Sequence, residues 1–338
     1  MERGRALNSV LRGTLVNSTT LGTANLSWFM ARVAATTAPA AGALMRTVTV
    51  GGRSIKLFQH FMDTPVAQPR RRGGPKADLT GLKVWPVSLR MLEHLRQTVL
   101  PDAQQRAGDR PLRVLELGAG CGSLGIGLAS LGVHCLLTDP GLPVNYSETE
   151  QGNTLSWLRA NVDANHELLG ERAAVAQLLW NDASHTEAVL RQWPEPFDLV
   201  VGSDLLYDPD QYAKLVGKAP PGVSRSPPGG ARALLCSPEY APLMQVTTNF
   251  TKCLSSRRPT TRSTHTLSTT RYPALLRTLA IFAGDAETRV VLGYTRRHPG
   301  EARFIKSAQL AFEEVATTDM AAREHTPRWS VTVMRGCR

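Results

Sequence analysis

The 338 residues include 42% hydrophobic side chains, enough for a sizeable core, and exceed a typical single domain without requiring two. The net charge of +11 is uneven: residues 1–46 hold five Lys/Arg and one acid, residues 217–277 hold nine and one, and the rest holds 25 basic and 26 acidic residues. That balanced remainder removes the charge as an argument for nucleic-acid binding, no stretch reaches the roughly 18 apolar residues of a membrane span, and five cysteines without C-x-x-C pairs or zinc-type His spacing exclude a structural metal and indicate a reducing compartment.

Residues 1–45 read as a disordered leader, rich in Arg, Ser, Thr and Ala with a single acid, either an organelle transit peptide or an early start site upstream of Met45. Arg46 to Phe58 reads as two alternating strands around Gly51-Gly52, a tight hairpin. A Pro/Arg/Gly-rich loop over 62–80 precedes a helix with Pro86 at its first turn and Leu89, Leu92, Leu95 and Val99 along one side. After a turn between Pro101 and Pro111, the segment Arg113-Val-Leu-Glu-Leu-Gly-Ala-Gly-Cys-Gly-Ser-Leu-Gly125 runs a buried strand through Glu116 into a glycine loop.

Such a loop cradles a nucleotide. Gly118, Gly120 and Gly122 let backbone approach a ligand, and Leu124 to Leu131 reads as the following helix. Gly120-Cys-Gly122-Ser-Leu-Gly125 satisfies the dinucleotide spacing, but the glycine directly after the strand is Gly118, whose own frame puts Ser123 where the third glycine belongs. Glu116 would repel a pyrophosphate and suits a ligand carrying positive charge, such as the amino group of S-adenosylmethionine. A nicotinamide oxidoreductase is the lesser alternative. Cys121 reads as a small residue tolerated in the turn rather than a catalytic thiol.

Val133 to Asp139 is a second apolar strand, ending in the carboxylate that binds a ribose hydroxyl pair in βαβ folds. Gly152 to Asn165 carries Leu155, Leu158 and Val162 at helical spacing, Val175 to Trp180 is a third strand, and Phe197 to Tyr207 a fourth whose apolar run ends at Asp204. Gly118, Asp139, Trp180 to Asp182 and Asp204 are therefore expected to converge on one crevice beyond the strands' carboxyl ends. Residues 217–277, rich in Pro, Ser, Thr and Arg with one acid, read as a disordered insertion or a retained intron. Without them, residues 212–216 and 278–282 join into one helix, followed by strands at Thr288 to Tyr294, Ala311 to Thr318 and Trp329 to Met334. The domain is then 46–216 with 278–338.

Trp85-Pro86, Glu116-Leu-Gly-Ala-Gly-Cys-Gly122, Asp139, Asn161-x-x-x-Asn165, Trp180-Asn-Asp182 and Asp204-Leu-Leu-Tyr207 together resemble the seven-strand (class I) protein-lysine methyltransferase family. The resemblance covers about Val48 to Tyr212 and resumes near Thr278; it departs at Cys121, where the family commonly has Thr or Ser. It implies an α/β, Rossmann-like class I methyltransferase fold with a mostly parallel seven-stranded sheet and a small N-terminal β-hairpin. It also implies S-adenosyl-L-methionine as cofactor and, as partner, a non-histone protein substrate presenting a lysine. The chain is expected to be a monomer in the cytoplasm or nucleus, or in an organelle if the basic leader is real, with neither nucleic-acid nor membrane partners. The cofactor set it implies is Trp85, Glu116, Gly118, Ala119, Gly120, Gly122, Asp139, Trp180, Asn181, Asp182 and Ser203: Glu116 and Gly118 at the methionine end, Asp139 on the ribose, Trp180 to Asp182 at the adenine edge, and Trp85 closing over from the N-terminal side. Asp204 and Tyr207 are the implied catalytic pair.

The pair makes chemical sense from the residues as well. A lysine amine has an unperturbed pKa near 10.4 and attacks only after losing a proton. Asp204 can accept a hydrogen bond from it and orient its lone pair, while Tyr207 can wall the channel and attract the cation. The alternatives are an Asp204 that merely caps a following helix, a histidine, terminal amine or small-molecule acceptor, and a non-catalytic binding module on the same fold. Asn161 and Asn165 are expected to be structural, and Arg296-Arg297-His298 either grips an acidic substrate patch or is a solvated charge run.

Overall fold

A computed structural model describes residues 43–60, 80–145, 151–206, 272–297, 300–320 and 328–337. The predicted leader up to residue 42, most of the 62–80 loop, Tyr207, residues 217–271 and His298 lie outside the described residues.

The N-terminal hairpin forms as the Gly-Gly signal predicts. β1 (Ala43–Val50) and β2 (Arg53–His60) pair antiparallel with Val50 opposite Arg53. Gly51 and Gly52 have φ of 54° and 79°, the left-handed pair that a two-residue turn matched to strand twist requires. The hairpin starts at Ala43, three residues before the predicted domain boundary.

α1 (Pro86–His94) continues through a π turn (Leu95–Val99) into α2 (Leu100–Ala107), so the expected break at Pro101 is absent. Pro101 has no N–H to donate, and the widened turn accommodates it at the start of α2. The buried stripe is Val87, Ser88, Met91, Leu92 and Leu95, rotated from the predicted one, with Leu89 and Val99 only partly buried.

The main sheet alternates with helices: β3 (Arg113–Leu117), α3 (Ser123–Ser130), β4 (His134–Asp139), a two-stranded flap of β5 (Pro143–Asn145) and β6 (Gln151–Asn153), α4 (Thr154–Asp163), α5 (His166–Leu169), β7 (Ala173–Gln177), α6 (Ala183–Gln192) and β8 (Leu199–Ser203). Then come α7 (Tyr272–Phe282), β9 (Arg289–Thr295), α8 (Gly300–Ala311), β10 (Phe312–Met320) and β11 (Trp329–Cys337). Neither the flap nor α8 is among the predicted elements, although Phe304, Ala308 and Ala311 of α8 recur at helical spacing. α7 begins at Tyr272 and buries Leu275 and Leu276, so residues 272–277, assigned to the insertion from the sequence, belong to the domain.

The seven strands lie in the order β10-β11-β9-β8-β3-β4-β7. Strands β9, β8, β3, β4 and β7 run parallel, while β11 is antiparallel to both its neighbours. Strand parity feeds two cores. Val114, Leu137 and Val201 face α1, α3, α4 and the hairpin, whereas Leu115, Leu117 and Val200 face α7 and α8. The chain leaves β3 toward β4 on one side and later places β8 on the other, so a crevice opens at the carboxyl ends of β3 and β8.

Two asparagines on α4 dock the hairpin. Asn161 Oδ1 accepts the Phe58 N–H at 2.6 Å, and its Nδ2 donates to Phe58 O at 3.0 Å and to Cys121 O at 2.8 Å. One turn later Asn165 Oδ1 accepts the Lys56 N–H at 2.7 Å and Nδ2 donates to Lys56 O at 2.6 Å. Spacing of four on a helix thus meets spacing of two on a strand, and the outer edge of β2 finds partners without another strand.

Candidate active site

The crevice is lined by the 80–85 segment, the glycine loop, the end of β4, Trp180 and the end of β8. Gly118 and Gly120 have φ of 60° and 54°, and a Cβ on Gly120 would lie 2.8 Å from the carbonyl oxygen of Gly81. At Gly120 a second backbone segment lies directly on the loop, whereas a Cβ on Gly118 would meet the Leu205 side chain at 2.8 Å. Gly120→Ala is expected to strain the backbone by about 1–2 kcal/mol, displace the 80–85 segment, lower the melting temperature and weaken S-adenosylhomocysteine binding by about tenfold or more in calorimetry.

Asp139 ends β4 in the cleft wall, 5% exposed. One oxygen accepts the Gly120 N–H at 3.1 Å, and the other accepts the Gly141 N–H at 3.0 Å and the Thr154 hydroxyl. Burial raises its pKa against these donors. A carboxylate offers about four lone-pair sites, so one remains for a ligand hydroxyl. Ser88 and Ser123, which sequence reading passed over, also line the cleft with their hydroxyls 2.7 Å apart.

Trp85, just before α1, and Asp204, just after β8, both line the cleft. Trp85 donates its Nε1–H to Thr80 O at 2.9 Å. Asp204 has a φ of 56°, uncommon for a residue with a side chain, and is 8% exposed. Its N–H donates to Gly293 O at 2.7 Å, Oδ1 accepts the Thr295 N–H at 3.1 Å, and Oδ2 pairs with Arg297 at 2.8 Å. Its side chain therefore bonds the end of β9; the segment from Tyr207 on, which the helix-cap alternative concerns, lies outside the described residues.

Of the expected cofactor residues, Trp85, Gly118, Ala119, Gly120, Asp139, Trp180 and Ser203 line the cleft; Glu116, Gly122, Asn181 and Asp182 do not. Glu116 is 1% exposed beneath α3, accepting the Gly125 N–H at 2.9 Å, because its parity on β3 points it away from the cleft. A Cβ on Gly125 would collide with that carboxyl. Gly122 faces Leu158 and Ile126, and Asp182 caps α6 by accepting the His185 N–H at 3.0 Å. Asn181, with φ of 64°, turns its amide oxygen to Arg277.

Burial, with a smaller push from Asp139, raises Glu116 to about 8 from an ordinary 4.5, against the opposing Gly125 N–H. The folded state therefore holds this proton more tightly than the unfolded chain. The resulting stability is complete below pH 4.5 and lost as pH rises through about 8. Urea unfolding is expected to show stability falling across that window by up to roughly 5 kcal/mol, and Glu116→Gln to flatten the fall.

Strand order, glycine loop and cleft define a Rossmann-like class I methyltransferase fold. Residues 76–218 match the family model described as lysine methyltransferase. EEF1A lysine methyltransferase 3 of Mus musculus is 31% identical over 135 residues, 40% of this chain and 47% of that protein. Protein N-lysine methyltransferase METTL21A of Mus musculus is 31% identical over 110 residues, 32% of this chain and 42% of that protein. The chain thus spans about half the length of the curated relatives it matches. Among solved structures, a SAM-dependent methyltransferase from Agrobacterium tumefaciens aligns at 13% identity with a TM-score of 0.44, over 88% of this chain and 71% of that one.

The class uses S-adenosylmethionine, and the cleft fits it. Two glycines in left-handed backbone line the cleft, Asp139 retains an acceptor site, and the Trp180 indole offers an apolar wall. Among the described residues no group of three or more His, Cys, Asp or Glu is placed to hold a metal, and no helix is long and apolar enough to cross a membrane.

Proposed function

We propose that the protein is an S-adenosylmethionine-dependent protein-lysine N-methyltransferase acting on a non-histone protein. The observation that carries this reading is Asp204: a nearly buried carboxylate held in left-handed backbone at the cleft, with the Trp85 indole also facing it. The lysine methyltransferase match over residues 76–218 supports the same acceptor.

S-adenosylmethionine, when bound, supplies a methyl carbon made electrophilic by a positively charged sulfur. Gly118, Ala119 and Gly120 would hold the cofactor through backbone, Asp139 would accept from its ribose, and Trp180 and Ser203 would flank it. Asp204 accepts a hydrogen bond from the acceptor amine and aims its lone pair once the amine has lost its proton to solvent. Its contribution is orientation, which is worth several kcal/mol and up to roughly 7–11 in well-aligned systems. Tyr207, three residues on, is proposed to wall the lysine channel. A cytoplasmic monomer completes the proposal.

The test is calorimetry with S-adenosylmethionine, S-adenosylhomocysteine and NADH, followed by transfer of isotope-labelled methyl groups to a cell extract read by mass spectrometry. Binding of the first two and label on lysine side chains is the expected result. NADH binding, or label confined to other residues or to small molecules, overturns it.

A further inference from the structure

Asp204, the carboxylate assigned to the acceptor amine, already holds a cation. Arg297 Nη2 lies 2.8 Å from Asp204 Oδ2, and the same guanidinium carbon lies 5.5 Å from the centroid of the Trp85 ring. A cation between a carboxylate and an indole face is in the position an incoming lysine ammonium would seek. The pair is uneven: the Asp204 side chain is 8% exposed and the Arg297 side chain 43%. The carboxylate is fixed, with its other oxygen on the Thr295 N–H, while the guanidinium can swing into solvent.

Displacing Arg297 has an electrostatic consequence. Lys83 Nζ also lies over the Trp85 ring, 5.2 Å from its centroid. With a lysine on Asp204, the freed guanidinium either crowds Lys83 and the substrate cation at that indole or turns outward without Asp204, while the nearby Glu301 carboxylate is held by the Arg297 N–H. A substrate that brings its own carboxylate beside the lysine removes that imbalance. Arg297 suits the exchange, since its planar fork binds a carboxylate through two parallel N–H groups.

We propose that Arg297 is a specificity-determining residue that exchanges partners: it pairs with Asp204 in the free protein and with a substrate Asp or Glu neighbouring the acceptor lysine in the complex. The site thereby selects lysines with an acidic neighbour. The proposal rests on the lysine reading of the acceptor, and the exchange involves no covalent change at Arg297.

The test maps sites labelled by the wild type, Arg297→Gln and Arg297→Glu in a cell extract with isotope-labelled S-adenosylmethionine. Kinetics then follow on a labelled substrate protein and on its variant with the neighbouring acid changed to Gln or Asn. Wild-type sites are expected to have Asp or Glu beside the lysine, and removing that acid to raise KM by about tenfold for the wild type but little for Arg297→Gln, with kcat nearly unchanged. Arg297→Glu is expected to shift label toward lysines with Lys or Arg neighbours. A merely structural Arg297 would leave flanking preference alone. Sites without acidic neighbours, or an equal KM rise in wild type and Arg297→Gln, overturn the proposal while leaving the lysine reading intact. Label absent from lysines in the wild type removes that reading, and this proposal with it.

Discussion

Asp204→Asn is expected to reduce methyl transfer by about 10²- to 10³-fold while leaving S-adenosylhomocysteine affinity within about threefold. Asn is the informative replacement. It tolerates the left-handed backbone at φ 56°, and its amide oxygen can still accept the Thr295 N–H, so the end of β8 keeps its geometry. What it loses is the anionic oxygen that now meets Arg297 and is assigned to the acceptor amine. Asp204→Ala removes the Thr295 contact as well and confounds chemistry with folding. The check is initial-rate transfer of labelled methyl beside calorimetric titration of S-adenosylhomocysteine. Retained transfer would reduce Asp204 to a brace between β8 and β9.

Asn161→Ala is expected to destabilise the fold by about 2–4 kcal/mol, read as a lower urea midpoint with little change in slope. The residue is fully buried and satisfies three backbone groups: the N–H and C=O of Phe58 and the C=O of Cys121. Unpaired buried amide groups cost about 1–3 kcal/mol each, although the Trp157 Nε1–H still donates to Phe58 O and relieves part of the loss. Because Cys121 sits in the glycine loop, the same substitution is also expected to weaken S-adenosylhomocysteine binding. Through one amide the hairpin braces the cofactor floor, and a midpoint unchanged by Asn161→Ala would remove that link. Exposed Arg191→Ala, which breaks only an ion pair with Glu187 one helical turn away, should move the midpoint by less than about 0.5 kcal/mol.

Local signals carried most of the architecture. Apolar runs of five or six residues bounded by glycine and acid marked β3, β4 and β8, and Gly51-Gly52 marked the hairpin, because strand period and turn chemistry act over a few neighbouring residues. The same locality placed Gly118, Gly120, Asp139 and Asp204 at strand ends, from which a parallel sheet delivers them to one crevice. α8 lies outside the predicted elements although Phe304, Ala308 and Ala311 recur at helical spacing, β5 and β6 at 3 residues each are too short to show a period, and α7 starts six residues before the predicted boundary, where Leu275 and Leu276 are buried.

Side-chain direction and distant partners were not legible. In a strand buried on both faces, alternation carries no polarity, so nothing in Arg-Val-Leu-Glu-Leu indicated that Glu116 turns under α3 rather than toward the cofactor; only the bare Gly125 hinted at a group needing room. Asn181 and Asp182 follow Trp180 directly, yet a left-handed turn and a helix cap direct them elsewhere. Arg297 reads from sequence either as a grip on an acidic substrate patch or as part of a solvated charge run, and only the pairing of β9 with β8 brings it to Asp204 from 93 residues away. The strand–loop–helix units and the strand-end positions of the chemistry follow from neighbouring residues and are written in the local sequence. Which of those side chains face the cleft, and which cation pairs with Asp204, depends instead on how the sheet is ordered and which face each strand presents.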